Sequence, residues 1–386
     1  MAFTKCAIMT CQSGVFLRER SLLMIESLFN EIGRISHEFN LSGLVNVSEI
    51  NQGKVNHTCR ADFLIDGWMN SYIVQKVNTY VFRKPWDVMH NIALITQFMA
   101  EHHPDIKSLR YINARNGKNY YEDGPAFWRM YKYVDSVTYN SAKDPVIVCN
   151  AGKAFGRFQK ALADFDASLL RYTIPNFHNT TKRYSDLAAD YSSDPLWRAA
   201  SCADEVSYVL SMKDKALVLD RLYAAGRIPL RVTHNDTKIN NVLFDPDTRK
   251  AVCVVDLDTV MPGLAGHDFG DAVRSAGNSK GSASLEFDKI CLNMDVFKAF
   301  AEGFLSYTKP LFTEDEIKSL ADSCLVMTLE LASRYLDDYL TGDKYFSAKY
   351  QTQNLDRARN LIALARSMDS QMDQMHAIVD EIVKGR

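Results

Sequence analysis

One polar loop constrains this chain more than any other feature. Thr233-His234-Asn235-Asp236-Thr237-Lys238-Ile239-Asn240-Asn241 runs directly into a short apolar strand, Val242-Leu243-Phe244. A second apolar strand, Ala251-Val252-Cys253-Val254-Val255, ends in Asp256-Leu257-Asp258. A strand that ends in a carboxylate delivers it to the rim of a sheet. The fold must therefore set a loop rich in charged and amide side chains beside a second, acidic strand end.

The order of groups suits phosphoryl transfer, which asks the protein for positioning and charge neutralisation rather than covalent chemistry. In that reading Asp236 orients and deprotonates an acceptor hydroxyl. Lys238 meets the charge that grows on the transferring phosphoryl group. Asn241 offers a neutral oxygen to Mg²⁺, a hard cation. His234 holds the loop in shape. Asp256 bridges metal to nucleotide phosphates, and Asp258 is a candidate for a second metal. The plain alternative is a chance polar loop and a solvated hairpin end. The two features in this order and spacing argue against it.

Asp268-Phe269-Gly270 spells a familiar metal-binding triplet. It lies 27 residues after Asn241, whereas Asp256 lies 15 after it. It also follows Pro262-Gly263-Leu264-Ala265-Gly266 rather than an apolar strand. Context decides such motifs. Asp268 and Asp271 are expected to be structural, bonding the loop or Arg274.

The nucleotide side is expected upstream. Alternation predicts strands over 44–50, 58–65 and 68–77, with Asp66-Gly67 as a hairpin turn. The loop Gln52-Gly53-Lys54-Val55-Asn56 joins the first two, so Gly53 and Asn56 are candidate nucleotide contacts. Lys76 is placed as the lysine for the α- and β-phosphates, with Asp87 or Glu101 as its acid partner; its plain reading is an exposed strand lysine. Further strands are expected at 108–113 and 127–134. The connector near Tyr131–Val134, with Tyr131 and Tyr133, is expected to offer backbone bonds to adenine. No Gly-x-x-x-x-Gly-Lys-[Ser/Thr] occurs, so the nucleotide site is not a P-loop.

Helical spacing predicts helices at 17–39, from Pro85 onward, around Phe155–Phe165, and at 204–225, 287–307, 314–341 and 354–383. Residues 173–203 read as a polar, irregular but structured insert. Glu330 and Arg334 stand one turn apart. Their plain reading is an i,i+4 ion pair; the functional one is an arginine that reaches substrate hydroxyls or an acetamido oxygen.

With 47% hydrophobic and 24% charged residues, the 386-residue chain is an ordinary globular one with room for two or three lobes. The net charge of -2, with no basic block, argues against nucleic acid as a partner. No apolar run is long enough to cross a bilayer, and no signal peptide is evident. The scattered cysteines fit a reducing, cytoplasmic setting.

These residues resemble the aminoglycoside phosphotransferase and choline kinase superfamily, and within it the N-acetylhexosamine 1-kinases. The similarity rests on Gly53…Asn56-x-Thr58, Gln75-Lys76-Val77-Asn78, Ile174-Pro175-Asn176-Phe177-His178-Asn179-Thr180, the loop His234–Asn241, Asp256–Gly263 and Arg334-Tyr335-Leu336-x-Asp338-Tyr339-Leu340. It implies a two-lobed α+β, protein-kinase-like fold: a helical prefix (1–40), an N-lobe with an antiparallel sheet that covers ATP (41–134) and a mainly helical C-lobe (135–386). It implies ATP and Mg²⁺ as cofactors and a small sugar as partner. Asp236 would be the base, Asn241 and Asp256 the metal ligands, and Arg334 a sugar contact. The product would be GlcNAc or GalNAc 1-phosphate. Lys54 stands where histidine is expected and Cys59 where an aromatic is expected, so another hydroxylated acceptor, such as an amino alcohol or aminoglycoside, stays open. So does a pseudokinase that binds without transfer, although the full set of catalytic side chains speaks against it.

Overall fold

The computed structural model describes residues 26–50, 55–140 and 143–385. They form two compact units: one holds the described residues up to Met89 with Leu109–Val134, the other His90–Ser108 and the chain from Asp135 onward.

The first unit begins with α1, a helix through residues 26–38. Ile32 and Ile35 on α1 are fully buried, as the helical spacing requires. The expected start of this helix at 17–25 lies outside the described residues, as do Gly53 and Lys54. The strands are β1 (Leu44–Glu49), β2 (His57–Ile65) and β3 (Trp68–Val77), followed after the helix α2 (Pro85–His102) by β4 (Tyr121–Asp123) and β5 (Ala126–Lys132). They make one antiparallel sheet in the order β1-β2-β3-β5-β4. Asp66 and Gly67 take φ of 52° and 81°, the left-handed pair that a two-residue hairpin of this type needs.

Two opposite faces follow from the pleat. Ala61, Phe63, Val74, Trp128 and Met130 pack with Ile32, Ile35 and Phe39 against α1. Arg129, on the other face, reaches Met89 of α2. The strand expected at 108–113 reduces to one bridge, Tyr111 to Tyr131. β4 already pairs with β5 at Ala126–Trp128, which leaves little of that edge to fill.

The second unit is mainly helical, with α3 (Pro145–Ala161), α4 (Thr180–Ser193), α5 (Ala203–Ser211), α6 (Lys213–Ala216) and α7 (Val218–Ala224) before the strands β6 (Arg231–Thr233), β7 (Val242–Phe244), β8 (Ala251–Val254) and β9 (Met261–Gly263). Then come α8 (Ala265–Ala276), α9 (Met294–Thr308), α10 (Glu314–Lys318), α11 (Leu320–Thr341), α12 (Gln353–Ser370) and α13 (Met372–Lys384). In its core Phe269 meets Phe297, Phe300 and Phe304 edge to face. α3 and α9 approach so closely that a Cβ on Gly303 would sit 2.1 Å from the Cys149 carbonyl oxygen. Only glycine fits there.

Three expected helices are broken. The 314–341 helix divides at Ser319, whose hydroxyl bonds back to the Glu316 carbonyl and so competes with helix propagation. The 354–383 helix breaks at Gln371, and 204–225 becomes three short helices. The insert at 173–203 is not irregular throughout: it contains α4, capped by the Asn179 side chain on Lys182 N–H. Only Thr180, Tyr184 and Leu187 of α4 are buried, too thin a stripe to announce a helix.

β6 pairs with β9 and β7 with β8, both antiparallel. The polar loop therefore leaves one ladder and enters the other, and Asp256 leaves the second ladder toward the first.

Candidate active site

The loop between β6 and β7 is held by its own surroundings. Asn235 is left-handed at φ 62°, a conformation asparagine tolerates better than most residues. Its amide donates to the carbonyl of Thr259 at 2.9 Å and its oxygen accepts from the Thr233 hydroxyl at 3.0 Å. A Cβ on Gly263 would strike that same hydroxyl at 2.3 Å. So the lock exists only because β9 ends in glycine.

Asp268 fastens the loop from behind. Its carboxylate accepts from His234 N–H at 2.9 Å, Asn235 N–H at 2.7 Å and the Gln159 amide at 2.8 Å. Thr237 donates its hydroxyl to the Asp268 carbonyl and its N–H to Asp271 at 3.1 Å. The structural expectation for Asp268 and Asp271 holds. Asp271 also pairs with Arg274 at 2.5 Å.

His234 links the two strand ends. Its Nε2 lies 2.9 Å from the Val255 carbonyl, an acceptor only, so Nε2 carries the hydrogen. Nδ1 then accepts from Asp236 N–H at 3.3 Å. One neutral imidazole thus ties the backbone of Asp236 to the residue before Asp256.

The loop presents Asp236, Lys238 and Asn241 together. Lys238 Nζ is 2.5 Å from Asp236 Oδ1. Burial resists ionisation of Asp236, but Lys238 and the Asn241 amide outweigh it and hold the carboxyl below its usual range. Asn241 donates from Nδ2 to Asp236 Oδ2 at 3.0 Å and to the Asp236 carbonyl at 2.8 Å, which keeps its amide oxygen for another partner.

Val255 N–H bonds to the Asn241 carbonyl at 2.9 Å, so Asn241 and Asp256 sit at neighbouring ends of the β7–β8 ladder. Asp256 is left-handed at φ 59° and exposed. Asp258 is 2% exposed and belongs to the turn behind, where its carbonyl accepts from Thr173. Asn241 and Asp256 supply hard oxygen donors of the kind Mg²⁺ takes. Among the described residues no group of three His, Cys, Asp or Glu side chains converges. Asn241 and Asp256 would hold such an ion, with phosphate and water oxygens as its other ligands.

On α11 the i,i+4 pair does not form. Glu330 gives one oxygen to His178 Nδ1 at 2.8 Å and the other to the Thr180 hydroxyl at 2.7 Å. Burial opposes its charge, but His178 beside it lowers the Glu330 carboxyl to about 2. Arg334 lies instead 5.3 Å from the Phe177 ring and 5.4 Å from Tyr345 and Phe346. Among the described residues it has no acid partner within bonding distance. Arg183, which donates to the Asn176 carbonyl at 2.9 Å, adds a second positive charge close to it. His178 Nε2 is 3.2 Å from the Asn235 carbonyl, so this cluster is joined to the loop.

In the first unit, Lys76 Nζ is 3.2 Å from Glu31 of α1 and 5.1 Å from the Trp128 ring. Its acid partner is therefore neither Asp87 nor Glu101. Lys76 stands opposite Trp128, while Gln75 stands opposite Arg129 and Ile73 opposite Tyr131. Lys76 and Tyr131 thus point to opposite faces of the sheet. On the Tyr131 face lie Gln75 and the fully buried Arg129, joined at 2.9 Å. Sequence reading missed Arg129; a lone arginine in the strand Phe127-Trp128-Arg129-Met130 was its only signal. Asn56 accepts from Asn78 N–H at 3.0 Å, and Tyr133 lies 4.3 Å from the Arg60 guanidinium.

Residues 63–287 match the phosphotransferase enzyme family, a span that includes the loop His234–Asn241 and Asp256. Among solved structures, a microcompartment-associated aminopropanol kinase is similar at 16% identity and a TM-score of 0.64, over 89% of this chain and 98% of its own. A spectinomycin phosphotransferase solved with ADP and spectinomycin is similar at 11% identity and TM-score 0.57, over 89% and 98%. A choline kinase from Cryptosporidium parvum gives 12% identity and TM-score 0.54, over 93% and 99%. At such identities the likeness speaks for the fold, which is the two-lobed α+β, kinase-like one. The family match covers more than half of the sequence and contains the loop His234–Asn241, so the chain belongs to the phosphotransferase enzyme family.

Proposed function

We propose that this phosphotransferase uses ATP and Mg²⁺ to phosphorylate the anomeric hydroxyl of an N-acetylhexosamine, GlcNAc or GalNAc. The observation that carries the acceptor class is Arg334. Phe177, Tyr345 and Phe346 form an aromatic surround of the kind that holds a quaternary ammonium, but a guanidinium of the protein already fills it. Lys238 and the buried Arg274 are each paired, with Asp236 and Asp271, but Arg183 adds positive charge beside Arg334. A cationic amino alcohol or aminoglycoside meets repulsion there. A neutral sugar rich in acceptor oxygens, with an acetamido carbonyl, meets donors.

Asp236 takes the proton of the acceptor hydroxyl as the oxygen attacks the γ-phosphorus. The new O–P bond forms, the bond from γ-phosphorus to the β,γ-bridging oxygen breaks, and ADP leaves with that oxygen. Lys238, held against Asp236, is placed to meet negative charge on the transferring group. Asn241 and Asp256 would hold Mg²⁺, which supplies charge neutralisation on the phosphates when bound. Asp258, turned inward, is a weaker candidate for that role.

For the nucleotide we retain Asn56, Tyr131 and Tyr133; Gly53 lies outside the described residues. Lys76 is not retained, because strand alternation puts it on the α1 face with Glu31. An acceptor panel read by ADP release tests the reading. N-acetylhexosamines should give turnover; signal from an aminoglycoside or amino alcohol alone would sink the acceptor assignment.

A further inference from the structure

His178 sits between two acceptors. Nδ1 is 2.8 Å from Glu330 Oε1 and Nε2 is 3.2 Å from the Asn235 carbonyl. A carbonyl oxygen and an ionised carboxylate can only accept. Both ring nitrogens must therefore carry hydrogen, and the ring is an imidazolium although its side chain is only 8% exposed. A buried cation persists when it is paired and its partner's remaining lone pairs are satisfied. Glu330 meets that condition through Thr180. Asp271 adds favourable charge, while the neighbouring His267 ring, at 5.0 Å, stays neutral because burial, with the His178 charge, pushes it down to about 3.

The contacts join two parts of the site. Asn235 precedes Asp236 in the loop. Glu330 lies one turn before Arg334 on α11, and Phe177, next to His178 in the chain, lies against the Arg334 guanidinium. We propose that the His178 imidazolium is a positioning residue, a charged strut that fixes Asp236 in register with the acceptor-binding Arg334. This rests on Asp236 as the base and on Arg334 as an acceptor contact, but not on which hydroxylated molecule they bind.

The strut works only when charged, which sets the sign of its pH dependence. Burial lowers the His178 pKa, but Glu330 and Asp271 outweigh it and raise it, so in the native protein the strut should persist above the ordinary histidine range. In Glu330→Gln the geometry can survive, since the glutamine oxygen can accept from Nδ1 and its amide can donate to Thr180. The charge that holds the proton is gone, and burial then lowers the His178 pKa. Activity of this variant should approach wild type at about pH 6 and fall by about tenfold or more by about pH 8, a limb absent from wild type. His178→Gln should lower kcat by about 10- to 100-fold with the ATP KM unchanged and no such limb. Melting curves confirm that both variants fold.

Nitrogen-15 NMR of the histidine-labelled full chain gives a test that needs no acceptor, with His178 assigned by its loss in His178→Gln. Both ring nitrogens should remain protonated at about pH 8. A neutral ring at that pH overturns the strut. A Glu330→Gln activity ratio to wild type that does not change with pH overturns its positioning role. If the sugar fails as acceptor but another hydroxyl compound is turned over, only the acceptor reading falls, and the same profiles are run on that compound.

Discussion

The loop between β6 and β7 and the N-terminal sheet show two ways in which a sequence position becomes a place in space. In the loop, nearly every polar backbone group has a fixed destination. Asp268 takes two N–H groups, the Thr259 hydroxyl donates to the His234 carbonyl, and the His234 ring ties the backbone of Asp236 to Val255. The order Asp236, Lys238, Asn241 in the sequence is then also their order around one site. In the sheet, the side a residue faces depends on parity. A one-residue offset sends a side chain to the other face, and Lys76 and Tyr131 part company for that reason alone. Spacing in the sequence carries over to proximity in space where hydrogen bonds pin a loop, and less well where pleat alternation decides.

Four substitutions can break or sharpen that contrast. Asp236→Asn should lower kcat by about a thousandfold or more while ATP still binds, seen by steady-state kinetics and nucleotide titration. Near-normal turnover would remove Asp236 from the chemistry. Asp268→Asn leaves one oxygen where the loop needs two, so a buried N–H loses its partner. That should cost about 1–3 kcal/mol of stability in a denaturant titration, with kcat down about 10- to 100-fold. An unchanged kcat would mean the loop holds its shape without this clamp. Arg334→Ala should raise the acceptor KM by about tenfold and leave the ATP KM alone. The smallest effect is expected at Lys76, whose pair with Glu31 is 41% and 36% exposed. Such pairs contribute about 0–1 kcal/mol to stability, and Lys76 lies on the α1 face, so Lys76→Ala should change the ATP KM by less than about threefold. A large rise there would return Lys76 to the phosphates and undo the parity argument.

Much of the fold and of the site's core was legible, for identifiable reasons. The strands of the first unit carry clean alternation and a strong Asp66-Gly67 turn. The loop and Asp256 carry their chemistry in residue type and spacing, and the triplet at Asp268 could be set aside because no apolar strand precedes it. What stayed hidden depends on partners distant in sequence. Glu31 meets Lys76 across 45 positions and His178 meets Glu330 across 152. The i,i+4 spacing of Glu330 and Arg334 pointed to the wrong pair because a buried imidazolium outcompeted a guanidinium that stacks on three rings. α4 was missed because its buried stripe is only three residues wide.

The central claim, transfer to an anomeric hydroxyl of a neutral sugar, is tested most directly by a phosphorus-31 NMR spectrum of the product from ATP and N-acetylglucosamine or N-acetylgalactosamine. The account predicts one new phosphomonoester signal coupled to the anomeric proton. A phosphate coupled to any other carbinol proton, or hydrolysis of ATP to inorganic phosphate alone, would contradict it.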